Sequence, residues 1–194
     1  MIDNVIIHYG IKGQKWGVRR FQNQDGSYTD IGKQRRRSAT RLFVSGSSKT
    51  QDPNSKYYRD LPNVVKDVLR EYVNKKAHIL VGDAPGVDRQ VQDFLKDLSY
   101  QKVTVFGPGK QVRYQADSSW KSKAYDSNYE PYSTEWLAKK DKAMSRSATE
   151  GLAITLDEGS KATRNNIARL DAKGKPVKEY QLSKKGSKYD KWVR

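Results

Sequence analysis

Residues able to grip an anion or move a proton fall into three short stretches of this 194-residue chain. They are Ser45-Gly46-Ser47-Ser48, Gly82-Asp83-Ala84-Pro85-Gly86-Val87-Asp88 and Asp157-Glu158-Gly159-Ser160-Lys161-Ala162-Thr163. Glycine lets a ligand approach the backbone, and a helix that begins just beyond it offers free N–H groups that attract anions. Ser47, Ser48, Ser160 and Thr163 add hydroxyl donors, and Lys161 adds a charge suited to phosphate. Apart from Pro85, every residue of the three stretches is therefore a candidate ligand contact. Four carboxylates sit among them. Two acids beside a sugar can perform glycosidic acid–base work, which makes Asp83 and Glu158 the candidate catalytic residues. The same acids can equally cap helices, hold a ribose or stay solvated. Gly, Ser and Asp also favour ordinary strand-to-helix turns. For one loop that is the simpler reading; three such loops together point to a binding rim.

Other chemistries are excluded by what the sequence lacks. There is no cysteine, hence no disulfide, thiolate metal site, cysteine nucleophile or Fe–S cluster. His8 and His78 are the only histidines, which argues against a His-based zinc site. His78 reads as a strand-edge residue, and no Asp-His-Ser order points to a triad. GxxxxGK[ST] is absent, and no GxGxxG follows the first strand, so ATPase and NAD readings are weak. No metal or other cofactor is expected. No run of about 18 apolar residues is present to cross a membrane. The opening MIDNVIIHYG lacks the basic n-region of a signal peptide.

The elements that would position the three loops can be read from hydrophobic period. RLFVSG, AHILVG, KVTVFG, GLAITL and PVKEYQL are short strands, most of them apolar throughout, as buried strands are. Leu61, Val64, Val65, Val68, Leu69, Tyr72 and Val73 share one helical face, with Asp60 expected as N-cap and Pro62 in the first turn. Val87, Val91, Leu95 and Leu98 define a second helix. A third runs from a Ser133 or Thr134 cap to about Ser147. The fourth carries Ile167 and Leu170 and stops at Gly174. Strands alternating with amphipathic helices imply an α/β fold: a doubly wound, Rossmann-like, mostly parallel five-stranded sheet with helices on both faces. In such sheets ligands bind beyond the carboxyl ends of the strands, where all three loops fall.

Two segments break this rhythm. Residues 107–133 have no clear period and hold Tyr114, Trp120, Tyr125, Tyr129 and Tyr132. They suit either a lid that stacks on a base or a cover for a sheet edge. Residues 1–40 are too short and polar to bury a core, and Asp25-Gly26 marks a hairpin-like turn. The expected organisation is thus an appendage at 1–40, the Rossmann-like domain at 41–181 and a basic tail at 182–194. The formal net charge is +16, and both ends are basic: residues 1–40 hold eight basic and three acidic groups, residues 181–194 five and one. Basic tails imply loose, nonspecific attraction to nucleic acid.

RLFVSGS, ILVGDAPGVDRQVQDFL and KKDKAMSRSATEGLAITLDEGSKATRNNIARLDAKGKPV resemble the SLOG superfamily, in particular its YspA or cpYpsA-related branch, over roughly residues 41–181. That resemblance implies a nucleotide or nucleotide-derived small molecule as partner. Relatives of the superfamily imply two alternatives: a phosphoribohydrolase acting on nucleotides, like the Lonely Guy enzymes, or single-stranded DNA binding in the DprA-like manner. Lonely Guy enzymes carry PGGxGTxxE with a catalytic glutamate. The matching position here is close to Asn166, which cannot serve as a carboxylate base.

HYGIKGQKWGVRRFQNQDGSYTDIGKQR resembles a segment of structural and capsid-associated proteins of tailed phages of Gram-positive bacteria. This implies a phage-associated protein, located in the host bacterial cytoplasm, the virion or both. Lys12, Lys15, Arg19 and Arg20, interleaved with Trp16 and Phe21, suit docking of residues 8–37 on a phage structural protein, or contact with packaged DNA. A disordered basic arm is the plain alternative. No membrane partner is expected, and a homo-oligomer is left open.

Overall fold

The structure, a computed structural model, describes residues 21–23, 25–33, 39–126, 128–185 and 189–194. The chain divides into two compact units, Met1–Ala39 and Thr40–Arg194. In the first unit Gln22 pairs antiparallel with Tyr28 around the Asp25-Gly26 turn. Gly26 has φ +82°, which glycine adopts without a Cβ penalty, and Asp25 Oδ1 accepts the Ser27 N–H at 2.8 Å. Residues 8–20, 24 and 34–37 of the segment expected to dock, Lys12 to Arg20 among them, lie outside the described residues.

The second unit is built on strands β1 (Arg41–Gly46), β2 (His78–Gly82), β3 (Val103–Pro108), β4 (Lys121–Tyr125), β5 (Glu150–Leu156), β6 (Val177–Leu182) and β7 (Lys191–Trp192). Helices α1 (Asn63–Asn74), α2 (Val87–Asp97), α3 (Thr134–Ser147) and α4 (Lys161–Asp171) connect them. The sheet order is β4-β3-β2-β1-β5-β6-β7, parallel except for β7. The fold is a doubly wound, Rossmann-like α/β sheet.

Alternate residues of each central strand feed two separate cores, as the pleat requires. Leu42, Val44, Ile79, Val81, Val103 and Val105 pack under Val65 and Leu69 of α1 and Val91 and Leu95 of α2. Phe43, Leu80 and Phe106 face the other way, against Ala143 and Met144 of α3 and Leu170 of α4. Because both faces are covered, these strands are apolar throughout. That is why they were legible in the sequence.

Among the described residues the sheet has seven strands, not the five expected. The first addition, β4, lies inside the segment read as an aperiodic loop. Its sequence KSKAY is exposed at an edge, and lysines on an edge strand discourage pairing with other chains, so no apolar alternation marks it. The second, β7, is two residues long and runs through the stretch expected to be a tail; Trp192 packs edge-on against Tyr180 at 4.9 Å between ring centroids. A smaller correction concerns α1, whose N-cap is Pro62 rather than Asp60. Proline fixes φ near its helical value, so the helix begins directly after it.

Candidate functional site

Strands β1 and β5 lie side by side at the centre of the sheet, yet the chain visits β2, β3 and β4 between them. Loops leaving β1 and β5 therefore diverge to opposite faces and leave a crevice at this switch point. A cavity of about 240 Å³ occupies it. Ser45 to Ser48 from β1 form one wall, and Ser160 to Thr163 at the start of α4 form the other. Ala84 reaches in from the β2–α2 loop and Asp88 from the first turn of α2.

The cavity floor is a buried charged network. Lys140 Nζ on α3 lies 2.9 Å from Asp141 Oδ1 and 3.7 Å from Asp88 Oδ2. Asn166 Nδ2 donates to Asp141 Oδ2 at 3.1 Å and to Ser45 Oγ at 2.9 Å, which ties α4 to α3 and β1. Burial pushes the Asp88 carboxyl up to about 6, against the pull of the Lys140 ammonium. Burial disfavours the Lys140 charge, but Asp141 and Asp88 outweigh it and hold the ammonium above its usual range. With two carboxylates facing one ammonium, the floor attracts hydroxyl and amine donors rather than phosphate.

The rim has the opposite character. Gly159 and Ser160 both take positive φ, +94° and +62°, and turn the chain sharply into α4. Ser160 Oγ accepts the Leu156 N–H at 2.9 Å and locks this turn. The first backbone bond into the helix runs from Arg164 N–H to the Ser160 carbonyl at 2.9 Å. The N–H groups of Lys161, Ala162 and Thr163 precede it and face the cavity end, where the helix dipole favours an anion. The exposed Lys161 adds its charge there.

The structure thus brings Ser45, Gly46, Ser47, Ser48, Ala84, Asp88, Ser160, Lys161, Ala162 and Thr163 around one cavity. Others among the expected contacts shape it from outside. A Cβ on Gly82 would lie 2.0 Å from Asp88 Oδ2, and one on Gly86 would lie 2.3 Å from the Ser47 carbonyl oxygen. Val87 is fully buried in the core, packed where Gly46 has no side chain. Gly159 supplies the turn just described.

The two candidate catalytic acids are engaged elsewhere. Asp83 is buried and takes a bidentate pair from Arg113, Nη2 to Oδ1 at 2.5 Å and Nε to Oδ2 at 3.0 Å. Glu158 is exposed, where Lys56 at 2.5 Å and Lys184 at 3.2 Å hold its carboxyl below the usual range. Asp157 accepts from the Tyr57 hydroxyl and from the Glu158 N–H. None of these three lines the cavity.

Lys140, Asp141, Asn166 and Leu137 line it without having been expected there. A signal did exist for the first two. They fall on the stripe of α3 that Trp136, Ala143 and Met144 bury, so a charged pair sits in an apolar phase. Of the aromatics of residues 107–133, Trp120 and Tyr125 cover the sheet, whereas Tyr129 and Tyr132 are exposed. Trp120 is buried in the core with Nε1 donating to the Tyr100 carbonyl at 2.8 Å, and Tyr125 stacks on Phe106 at 6.0 Å. His78 heads β2, bonded through Nε2 to Thr104 Oγ1 at 2.7 Å. Among the described residues no cluster of three or more His, Asp or Glu side chains forms a metal site. Nor is any described helix long and apolar enough to cross a membrane.

Comparison with known proteins gives three findings. A family of unknown function (DUF7211) matches residues 1–23. None of the curated proteins matches the chain. A solved structure of DNA processing protein A from Helicobacter pylori, described for its single-stranded DNA binding mode, is similar with a TM-score of 0.50 and 14% identity. The likeness covers 74% of this chain and 66% of that one, so it spans just under two thirds of the neighbour's length. At that identity the shared property is a DprA-like Rossmann fold.

Proposed function

We propose that the Thr40–Arg194 unit binds a nucleotide or nucleotide-derived small molecule at the β1–β5 switch point. The observation that carries this reading is the polarity of one cavity: helix N-terminus, hydroxyls and Lys161 at the rim, Asp88 and Asp141 at the floor. A phosphate suits the first and ribose hydroxyls suit the second. The SLOG resemblance of residues 41–181 supports the same ligand class. No cavity-lining carboxylate matches the expected catalytic pair, so the reading is one of binding, with phosphoribohydrolase activity as the alternative.

Thermal unfolding with ADP-ribose, AMP and nucleotide sugars tests it. A ligand at a hundred times its Kd adds about 2.7 kcal/mol, which raises the Tm by roughly 5–10 °C for a chain of this size. Lys161→Glu should abolish the shift. No shift from any of these compounds at millimolar concentration would overturn the reading. Free base released from a nucleoside monophosphate would establish the alternative.

The DprA likeness and the basic ends favour a second reading, single-stranded DNA binding. A gel shift with oligo-dT that disappears at about 150–200 mM salt would reduce it to nonspecific attraction. Residues 8–37 we read as a docking segment for a phage structural protein, supported by the wording of that segment and by its interleaved basic and aromatic residues. Co-sedimentation with assembled particles, lost on deleting residues 1–40, is the expected result.

A further inference from the structure

Tyr132 stands at the head of α3 with 71% of its surface exposed, in a backbone conformation that is strained for it. Its φ is +68°, a left-handed value unfavourable for a residue with a large side chain. Two hydrogen bonds fix the turn. The Ser133 N–H donates to the Glu130 carbonyl at 3.1 Å, and Ser133 Oγ accepts the Trp136 N–H at 3.2 Å as the N-cap of α3. Burial does not offset the strain: the ring rests on Trp136, 5.3 Å between centroids, and is otherwise largely in solvent. Trp136 is a firm support. It is buried, Arg113 lies 5.7 Å over its ring, and the buried Asp83 carboxylate anchors Arg113.

This pair of rings shares a rim with the switch-point cavity. Helix α3 links β4 to β5, two strands that run in the same direction, so it starts at the carboxyl ends of the strands with Tyr132 at its head. Leu137 and Lys140 of the same helix line the cavity, as does Ala84, the residue after Asp83. A Cβ on Gly109, just past β3, would lie 3.1 Å from Trp136 Cζ2, which sets that ring over the end of β3. Along the rim, therefore, the start of α4 stands beyond β5, Ser45 and its bonded neighbours Asn166 and Asp141 at β1, Ala84 after β2, and Trp136 with Tyr132 beyond β3. Strands lie about 4.8 Å apart, so this line runs roughly 14 Å, from a place for phosphate, past a place for hydroxyls, to an exposed ring.

We propose that Tyr132 is the stacking surface for the base of a nucleotide whose sugar and phosphate lie toward α4. This rests on the nucleotide reading of the switch point and adds the contact that tells a nucleotide from a bare sugar phosphate. A base has a π-face whatever its edge carries, and an aromatic side chain held out into solvent on a rigid support can receive it.

AMP, ADP-ribose and ribose 5-phosphate are titrated calorimetrically against the full chain and its Tyr132→Ala and Tyr132→Phe variants. At least one of the two nucleotides should bind the native chain more tightly than ribose 5-phosphate does. Tyr132→Ala should weaken that nucleotide about fivefold or more. Tyr132→Phe keeps the ring face and should restore most of the affinity. Ribose 5-phosphate, which has no base, should not distinguish the three proteins. Equal nucleotide affinity in the native chain and Tyr132→Ala overturns the proposal and leaves the nucleotide reading standing. So does a loss in Tyr132→Ala that ribose 5-phosphate shares, a loss that Tyr132→Phe fails to restore, or a nucleotide bound no more tightly than ribose 5-phosphate. If neither nucleotide binds at millimolar concentration, the proposal and the nucleotide reading fall together.

Discussion

Lys140 Nζ lies 3.7 Å from Asp88 Oδ2 directly above the Cα of Gly82, where any side chain would intrude: a Cβ there would be 2.7 Å from that nitrogen and 2.0 Å from that oxygen. Three residues, on α3, α2 and β2, are therefore one arrangement. Burial, against the pull of the Lys140 ammonium and with the Asp141 charge adding to it, pushes the Asp88 carboxyl toward its neutral form.

Asp88 gives the fold a pH dependence with a definite sign. Its folded pKa, about 6, stands above the ordinary 3.8, so folding favours the protonated acid. That contribution is complete below pH 4 and is lost as pH rises through 6. Relative to Asp88→Asn, the native chain should lose on the order of 3 kcal/mol between pH 3.5 and 7. Urea unfolding at the two pH values measures it, and parallel pH profiles for the two proteins would refute it.

Removing Lys140 should cost far more than a surface lysine would. Lys140→Met leaves Asp88 and Asp141 buried with no cation, a change worth roughly 3–5 kcal/mol. A second substitution, Asp141→Asn, should restore much of the loss, because it takes away the charge that lost its partner. A chemical-denaturation cycle over the four proteins reads the coupling.

Gly86 and Gly174 both have positive φ, +84° and +61°, but only Gly86 is crowded. An added Cβ at Gly86 would meet the Ser47 carbonyl oxygen at 2.3 Å and Ser48 Cα at 2.4 Å, whereas at Gly174 nothing lies within 4 Å. Gly174→Ala should cost about 1–2 kcal/mol from backbone strain alone. Gly86→Ala should cost more and should also shift the Ser47–Ser48 wall, so ligand binding at the switch point weakens only in that variant. Calorimetry paired with ligand titration separates the two effects.

Periodicity exposes what is buried on a regular face, and the central strands and helices α1 and α2 follow from it; α3 was marked by its cap and α4 by Ile167, Leu170 and the Gly174 stop. Polar edges leave no such trace: KSKAY at β4 gains its strand character from backbone bonds to β3, which side-chain hydropathy does not encode. The glycine-rich loops were visible because backbone geometry restricts residue type. What they surround was less so. Asp88 and Lys161 stand in those loops, but Lys140, Asp141 and Asn166 enter from helices more than 50 residues away from Asp88, through contacts only the tertiary fold creates. Asp83 and Glu158 stand outside the cavity for a related reason. Sequence places a carboxylate at the rim but does not say that Arg113 or Lys56 will take it.

That pairing gives Asp83 a structural role that can be tested against a chemical one. Its side chain is fully buried, and Arg113, which also lies 5.7 Å over the Trp136 ring, bonds both carboxylate oxygens. Arg113→Met should destabilise by about 3–5 kcal/mol, since it strands a buried charge. Adding Asp83→Asn to it should recover part of that loss, as expected for a carboxylate whose work is to hold the residue 107–133 segment to the end of β2. A carboxylate that performed catalysis would behave differently. Asp83→Asn alone would then abolish release of base from a nucleotide while leaving the Tm within a few degrees. Measuring Tm and base release on the same three variants distinguishes the roles, and a stable but inactive Asp83→Asn protein would show that the salt bridge is not the reason for this residue.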